Sequence, residues 1–248
     1  MRLLPIAHCH VLNRSSQIRR AMEIKDFTDK LQDLKAKGFV PSLRRGPTGI
    51  GYTLESHLKI DENNLFLPDL GEIELKAHRD DSQSMITLFT FNRSAWLVNP
   101  IVAVKKYGTP NNNGRLGLYF TMSRIPNSAG LFLDPADETV SIRHKDGTEI
   151  VRWHYVDLAE RFSKKIPALL LVYAHVEHRG EEEWFNFYSA RLLRGTNPEI
   201  IGEHIKKGTI LIDLRLHDKG TMARNRGTGF RASESALSQL FKYSEVIL

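Results

Sequence analysis

Residues 68–76 read Pro-Asp-Leu-Gly-Glu-Ile-Glu-Leu-Lys, and this stretch says more about the chain than any other. If it forms a strand, side chains two residues apart share a face. Glu72, Glu74 and Lys76 then point one way, while the two aliphatic residues between them point into a core. Asp69, in the preceding bend, can reach back toward the charged side. Carboxylates and a lysine that converge at a strand end can hold a hard divalent cation beside a polarised water, as phosphodiester hydrolysis requires.

The spacing of the acid and the lysine is a weak signal by itself. An acidic residue two positions before a lysine also occurs at Glu23/Lys25 and at Asp33/Lys35. Those pairs lie in a segment with helical apolar spacing, where residues two apart diverge, so they indicate a solvated face. The pair within 68–76 lies in alternating strand context. An ordinary charged edge strand is the alternative to a nuclease site there.

Composition indicates a globular chain. Its 248 residues are 41% hydrophobic and 26% charged, enough for one large domain or for two lobes around a continuous core. No apolar run approaches the roughly 20 residues that a membrane helix needs. The single cysteine, Cys9, excludes an internal disulfide and fits a reducing cytoplasm.

The net charge of +6 is unevenly distributed. Residues 1–21 hold four arginines and no acid, and without them 31 basic residues face 29 acidic ones. Local clusters, rather than bulk charge, must therefore support a nucleic-acid partner. Met22 opens an amphipathic helix that ends near Gly38, a typical helix stop. We therefore predict that 1–21 is a disordered or misassigned extension and that 22–248 is the folded domain.

Residues 46–53, Gly-Pro-Thr-Gly-Ile-Gly-Tyr-Thr, are close to a phosphate-binding P-loop. That motif requires a lysine where Tyr52 stands, so the sequence argues against an ATPase or a GTPase. The glycines instead allow a tight turn into a helix whose buried stripe comprises Ile50, Leu54 and Leu58. Glu55 borders this stripe, and it could face solvent or lean into the site formed by 68–76.

Further segments predict one mixed α/β domain. We expect a strand beside the Glu74 strand at 85–91, a surface hairpin or loop at 105–117, a central buried strand at 168–176, its antiparallel partner at 184–188, another strand at 210–215 and a short amphipathic helix at 234–243.

The segment from Arg215 to Arg231 is the second informative stretch. It has five basic residues, one acid and three glycines after a predicted strand. It could be a solvated flexible loop. Alternatively, it could follow a sugar–phosphate backbone and present Arg226 or Arg231 to guanine, because arginine is the preferred bidentate reader of that base.

Taken together, these segments resemble the MvaI/BcnI family of type II restriction endonucleases and, more distantly, the MutH mismatch-repair nickase. The similar stretches are 49–55, 62–64, 68–76, 87–89 and 226–231, and the similarity runs from Met22 to the C-terminus. A helical glutamate, an aspartate, a Glu-x-Lys and a late basic segment are more specific together than any one alone.

The resemblance implies a restriction-endonuclease-like fold, a mixed β-sheet flanked by helices, with catalytic and recognition lobes around a DNA cleft. By motif position, Asp69 and Glu74 would ligate Mg²⁺ with the Leu75 carbonyl. Lys76 would orient and polarise the attacking water. Glu55 would support the metal or the lysine. Because Lys76 lies near carboxylates, we favour positioning and electrostatic stabilisation over a general-base role.

The resemblance also implies a set of DNA contacts: Arg44, Arg45, His78, Arg224, Arg226, Thr228 and Arg231. His78 could lie near a groove or be a plain surface histidine. The sequence departs from the family pattern at 224–225, where relatives carry His-Asp, and at Gly229, where relatives place alanine or histidine. Because these positions are close to the base-reading surface, the recognition sequence cannot be transferred.

The function implied is Mg²⁺-dependent, sequence-specific cleavage of double-stranded DNA by a cytoplasmic monomer. A companion DNA methyltransferase is expected in the host, though not as a stable subunit, and no membrane partner is expected. Two alternatives stay open: a MutH-like nicking enzyme that answers to a mismatch-sensing partner, and a DNA-binding protein of the same fold that has lost catalysis.

Overall fold

The computed structural model describes residues 24–60, 64–67, 71–80, 82, 84–91 and 95–248, with the backbone alone at 64–67 and 71–72. The predicted extension at 1–21 lies outside the described residues. The α-helices are α1 (Ile24–Ala36), α2 (Gly49–Leu58), α3 (Pro100–Tyr107), α4 (Tyr155–Lys165) and α5 (Pro198–Lys207), and a 3₁₀ helix covers Glu234–Leu240. The strands are β1 (Val40–Pro41), β2 (Asn64–Leu67), β3 (Gly71–Arg79), β4 (Met85–Phe91), β5 (Thr109–Pro110), β6 (Leu116–Met122), β7 (Leu131–Pro135), β8 (Thr139–His144), β9 (Glu149–His154), β10 (Ala168–Arg179), β11 (Glu182–Arg194), β12 (Ile210–Asp218), β13 (Ala223–Asn225), β14 (Thr228–Ser233) and β15 (Tyr243–Val246).

The first sheet has the strand order β1-β11-β10-β3-β2, and β15 also pairs with β11. Its central strand β10 runs antiparallel to β11 and parallel to β3. The start of β10 is a continuous aliphatic run that is buried on both faces, as expected of a central strand. The predictions of a buried strand at 168–176 and of an antiparallel partner at 184–188 are confirmed.

The second sheet has the order β4-β14-β12-β6-β5, with β13 paired to β12, and its pairs are antiparallel. The strand predicted at 210–215 is confirmed as part of β12. The strand predicted at 85–91 is β4, but its expected place beside the Glu74 strand is wrong, because β4 pairs with β14. Alternating polarity defines the two faces of a strand without defining its neighbours.

A third sheet, β7-β8-β9, packs with the second sheet and with α4 and α5 around one hydrophobic core. A separate core lies on the opposite face of the first sheet, where Leu31 of α1 and Leu54 of α2 are buried. Successive β10 residues alternate between them, with Leu169 and Leu171 in the first and Leu170 in the second. The first sheet thus separates two cores and offers two faces to the rest of the chain.

The segment 46–53 turns into α2 as predicted, and the stripe of Ile50, Leu54 and Leu58 is buried. A Cβ on Gly49 would overlap a carbonyl of the preceding loop, so glycine lets that loop close on the helix start. The predicted hairpin at 105–117 begins as the end of α3 and continues as the β5–β6 pair.

The basic segment 215–231 is not the flexible loop that the sequence allowed, since β12, β13 and the start of β14 occupy most of it. The helix predicted at 234–243 is the shorter 3₁₀ helix, followed by β15. In the part of the chain that the structure describes, no helix combines the length and the apolar character needed to cross a membrane.

Candidate active site

Strand β3 places its acid and its lysine together, as the sequence predicted. Ile73 and Leu75 are buried against the core formed with α1 and α2. Glu74 and Lys76 point to the opposite face, where Lys76 Nζ lies 2.6 Å from Glu74 Oε1. The pair occupies the middle of a nine-residue strand, so the expected position at a strand end is wrong. The geometry is that of a charge-assisted hydrogen bond on a rigid element.

The neighbours of β3 leave this pair partly enclosed. On one side, the buried Leu169 and Leu171 of β10 are the register partners of Glu74 and Lys76 and place apolar side chains next to them. On the other side, the described residues of β2 pair with β3 from Gly71 to Glu74. The side chains of Glu74 and Lys76 are 24% and 29% exposed. Electrostatic interactions in such a half-buried setting are stronger than in open water.

A pocket of about 330 Å³ connects β3 to α2 and contains Glu55, Leu75 and Lys76 among its lining residues. Burial raises the pKa of Glu55, and the charge of Arg44 acts in the opposite direction. Glu55 is half-buried and lines this pocket together with residues of β3, which agrees with the inward orientation, one of the two that the sequence left open. Asp69, the other predicted acid, lies outside the described residues.

The oxygen donors on β3 fit a hard divalent cation, because Mg²⁺ prefers carboxylate and carbonyl oxygens. Glu74 provides a carboxylate, and Leu75 of the same strand, whose carbonyl is the other ligand predicted on β3, lines the pocket. Among the described residues, no group of three or more His, Cys, Asp or Glu side chains could hold a metal ion.

The predicted DNA contacts near this pocket differ in their exposure. Arg44 and Arg45 are exposed at a neighbouring cavity of about 690 Å³, and the Arg44 guanidinium lies 4.0 Å from the Tyr52 ring centroid. His78 is 5% exposed and packs edge-on against Tyr173. The alternative of a plain surface histidine is therefore wrong.

The second sheet carries a different ionic cluster, centred on Asp213 of β12. Its carboxylate accepts a hydrogen bond from Thr121 at 2.8 Å, and its Oδ2 lies 2.9 Å from Arg231 Nη1 and 3.4 Å from Arg215 Nη2. Burial acts to raise the pKa of Asp213, but these three hydrogen bonds lower it overall. Arg231 also donates to the Met85 carbonyl at 3.1 Å. The two guanidinium groups are thus fixed in orientation.

Gly229 of β14 makes room for this arrangement. A Cβ added to Gly229 would lie 2.8 Å from Nη2 of Arg215, closer than side chains normally approach. Arg215 therefore lies over Gly229, and a side chain at this position would displace the end of its flexible guanidinium.

Beyond this cluster, the same end of the second sheet is strongly basic. Tyr119 Oη lies 3.0 Å from His217 Nδ1. Burial lowers the pKa of His217, and the charges of Lys219, Arg115, Arg226 and Arg224 lower it further. The predicted contacts Arg224 and Arg226 are exposed here, whereas Thr228 is 1% exposed and cannot reach a ligand directly.

Three residues of these clusters escaped the sequence analysis: Asp213, Arg215 and Glu234. An available signal was the aspartate within an otherwise aliphatic strand, because a charge there must be paired. Glu234 gave no such signal, since it reaches the pocket beside Lys76 from the end of the second sheet.

The fold and the site together define a nuclease of the restriction-endonuclease type, with a Glu-x-Lys strand on a mixed sheet and an arginine-bearing sheet nearby. The family model described as "MvaI/BcnI restriction endonuclease family" matches residues 28–241. The chain belongs to the MvaI/BcnI restriction endonuclease family, and it is accordingly a type II site-specific deoxyribonuclease.

Solved structures show the same fold. The restriction endonuclease MvaI in complex with cognate DNA substrate has a TM-score of 0.61 at 23% identity, covering 91% of this chain and 98% of that one. MvaI in the absence of DNA has a TM-score of 0.62 at 21% identity, covering 91% and 97%. Among curated proteins no match was found.

Proposed function

We propose that this endonuclease hydrolyses phosphodiester bonds of double-stranded DNA at a specific sequence in the presence of Mg²⁺. The observation that carries the proposal is the Glu74–Lys76 pair, 2.6 Å apart beside the pocket that Glu55 enters from α2. The carboxylate and the ammonium group of β3, with the Glu55 carboxylate of α2 nearby, would supply both ligands and positive charge for a scissile phosphate.

Asp69, Glu74 and the Leu75 carbonyl are the residues that would hold Mg²⁺. When bound, the ion supplies neutralising charge for the phosphate and lowers the pKa of a water molecule. Glu55 stabilises this arrangement from α2, either through the metal or through Lys76.

Lys76 acts in this proposal by position and charge. Its ammonium group already donates to Glu74, so its remaining N–H bonds are available to a water molecule or a phosphate oxygen. A Lys76→Arg enzyme that keeps nearly the full rate would support a role of charge alone. An intact rate in Lys76→Met would remove the residue from the mechanism.

Base reading falls to the second sheet. Arg231, held by Asp213, is the residue to which we assign the bidentate contact by which arginine recognises guanine. Exposed Arg224 and Arg226 fit contacts to phosphates, as do Arg44 and Arg45 at the mouth of the pocket. His78 and Thr228 are buried, so we assign them indirect roles.

The decisive experiment maps cut positions on a plasmid of known sequence, with Mg²⁺ and with a chelator. Discrete double-strand fragments at one short sequence support the proposal. Open circles alone, from supercoiled plasmid without a partner protein, would favour the MutH-like nickase instead. Binding without cleavage would favour a DNA-binding protein of the same fold that has lost catalysis. Cleavage that is abolished by Glu74→Ala would exclude that alternative.

We further propose that the enzyme acts as a cytoplasmic monomer, with a host methyltransferase that protects the same sequence. A monomer with one set of Asp69, Glu74 and Lys76 must cut the two strands in separate events. Sedimentation of the protein with and without its DNA tests the monomer, and nicked intermediates during cleavage test the sequential cuts.

A further inference from the structure

Glu234 connects the two sheets. It follows β14 directly, and its backbone N–H donates to the Ser84 carbonyl at 3.0 Å, just before β4. Its carboxylate, however, lies against β3 of the first sheet, with Oε2 3.4 Å from His78 Nδ1. Glu234 also lines the pocket that contains Lys76 and Glu55. One residue at the end of the arginine-bearing strand therefore reaches the face that bears the candidate catalytic pair.

The environment of Glu234 favours its charged form. Burial acts to raise the pKa of Glu234, but hydrogen bonds with His78 and Ser82 and the charges of His78 and Lys76 lower it overall. Lys76 pairs with Glu74 on its own strand and lines the same pocket as Glu234 from the second sheet.

The end of β14 is packed firmly beside the cluster of Asp213, Arg215 and Arg231 to which we assign base reading. Phe230 stacks on Phe89 with ring centroids 4.7 Å apart and meets the Trp153 ring edge-on at 5.5 Å. Arg231, only three residues before Glu234, is held by Asp213. Packed elements of this kind move as units rather than deforming continuously. A displacement at Arg231 is therefore transmitted to Glu234.

We propose that Glu234 is a positioning residue that couples base reading by β14 to the placement of Lys76, through His78. This inference rests on the proposed function. When Arg231 engages the correct base, Glu234 holds His78 and Lys76 in the cutting arrangement. An incorrect base displaces β14 and with it the carboxylate, and a small misplacement of a catalytic group is enough to slow the reaction greatly.

The test compares Glu234→Gln with the matched variant Glu245→Gln. Glu245 is an exposed glutamate on β15, paired with Arg194 at 3.2 Å and remote from β3. Single-turnover cleavage is measured with Mg²⁺ on the cognate sequence and on sequences with one base pair changed, and DNA affinity is measured with chelator. We expect Glu234→Gln to lower both the cognate rate and the cognate-to-altered ratio by about 10-fold, a typical coupling effect, with affinity nearly unchanged. Glu245→Gln should match the wild type.

Measurements on His78→Gln, alone and combined with Glu234→Gln, test whether Glu234 acts on Lys76 through His78. If Glu234 acts through His78, the double variant is no slower than His78→Gln alone. Additive losses would overturn the proposal, and so would a wild-type ratio in Glu234→Gln. An equal loss on all sequences together with a lowered Tm would show a structural role only, and that too would overturn it.

Should Glu234→Gln fail to fold, Glu234→Asp keeps the charge but withdraws it by one methylene. A reduced ratio in Glu234→Asp supports the proposal, and an unchanged ratio contradicts it. Wild-type protein that does not cleave any plasmid would refute the proposed function itself, whereas wild-type cleavage with normal behaviour of both Glu234 variants would refute only this inference.

Discussion

The ionic clusters of the two sheets are built in contrasting ways. Glu74 on the first sheet meets Lys76 on its own strand, and about a quarter of each side chain is exposed. The side chain of Asp213 on the second sheet is 11% exposed. Its carboxylate accepts hydrogen bonds from Thr121, Arg215 and Arg231, which lie on three different strands. The first cluster is a two-residue pair that stays partly open to solvent, while the second surrounds one carboxylate with hydrogen bonds from three side chains.

This difference suits the two tasks of a restriction enzyme. Chemistry on a phosphate needs groups that can bind an ion and a water molecule, so they must not be fully satisfied beforehand. Base reading needs guanidinium groups held at fixed angles, because a bidentate contact discriminates by geometry. Variants in each sheet should therefore separate the rate of cutting from the choice of sequence.

The largest effect is expected for Glu74→Ala. Removing the carboxylate that we propose as a metal ligand should lower the cleavage rate by about 1000-fold or more while leaving DNA affinity within a few-fold, since the second sheet is untouched. Single-turnover cleavage and a binding titration measure the two quantities. Glu160→Ala, at an exposed helix pair with Lys164, is the control and should cut normally. Equal losses of rate and affinity would contradict the division of tasks.

Asp213→Asn should have the next largest effect. The substitution keeps the shape but removes the charge that holds Arg215 and Arg231, and loss of one partner in a buried ion pair is costly. We expect cleavage of the cognate sequence to fall by about 100-fold, with weaker binding and poorer discrimination. Asp157→Asn on the exposed side of α4 serves as the control. Normal discrimination in Asp213→Asn would show that the arginines need no anchor.

Gly229→Ala is expected to have a moderate effect confined to specificity. The added Cβ would crowd Arg215 Nη2 at 2.8 Å, so this guanidinium must shift. The preference for the cognate sequence should fall by about 10-fold, the value of a weakened base contact. Gly202→Ala lies on α5 and not on the second sheet, and its added Cβ crowds the Tyr155 ring at the same 2.8 Å. It should lower Tm without changing specificity, and identical behaviour of the two variants would argue against a reading role.

The smallest expected effect concerns His217 and pH. Burial and neighbouring cations lower the pKa of His217 in the folded protein below its ordinary value of 6.5. The unfolded chain therefore binds a proton at this residue more readily than the folded protein does when the pH is below 6.5. This contribution to stability is therefore present above pH 6.5 and is lost as the pH falls through that value. We expect the free energy of unfolding to decrease by less than about 1 kcal/mol between pH 7 and 5.5. Denaturant titrations at several pH values should show that the free energy of unfolding of His217→Asn changes less with pH than that of the wild type.

Local features of this fold follow from the spacing of residues along the chain. Alternating polarity identified β3 and both of its faces, and the aliphatic run identified β10 as central. The helical spacing of Ile50, Leu54 and Leu58 identified α2, which places Glu55 beside β3. Such patterns are readable because the period of a helix or strand determines which side chains share a face.

Properties that depend on contacts between distant segments are not encoded in local spacing. The alternating pattern at 85–91 predicts a strand, but it does not identify β14 as its partner. The basic composition of 215–231 predicts a loop, although most of the segment is strand. Its Arg215 and Arg231 are oriented by Asp213, whose carboxylate accepts a hydrogen bond from Thr121, 92 residues from Asp213 in sequence.

Residue types and their spacing define the local chemistry: an acid and a lysine on one face of a strand, a glutamate on the adjoining helix and a late arginine-rich segment. Packing of distant segments against one another determines which of these groups lie together. Burial of Asp213 selects Arg215 and Arg231, and the end of β14 brings Glu234 to His78 across the two sheets. The physical reason is that desolvation and ion pairing depend on distances through space, which the spacing of residues along the chain does not encode.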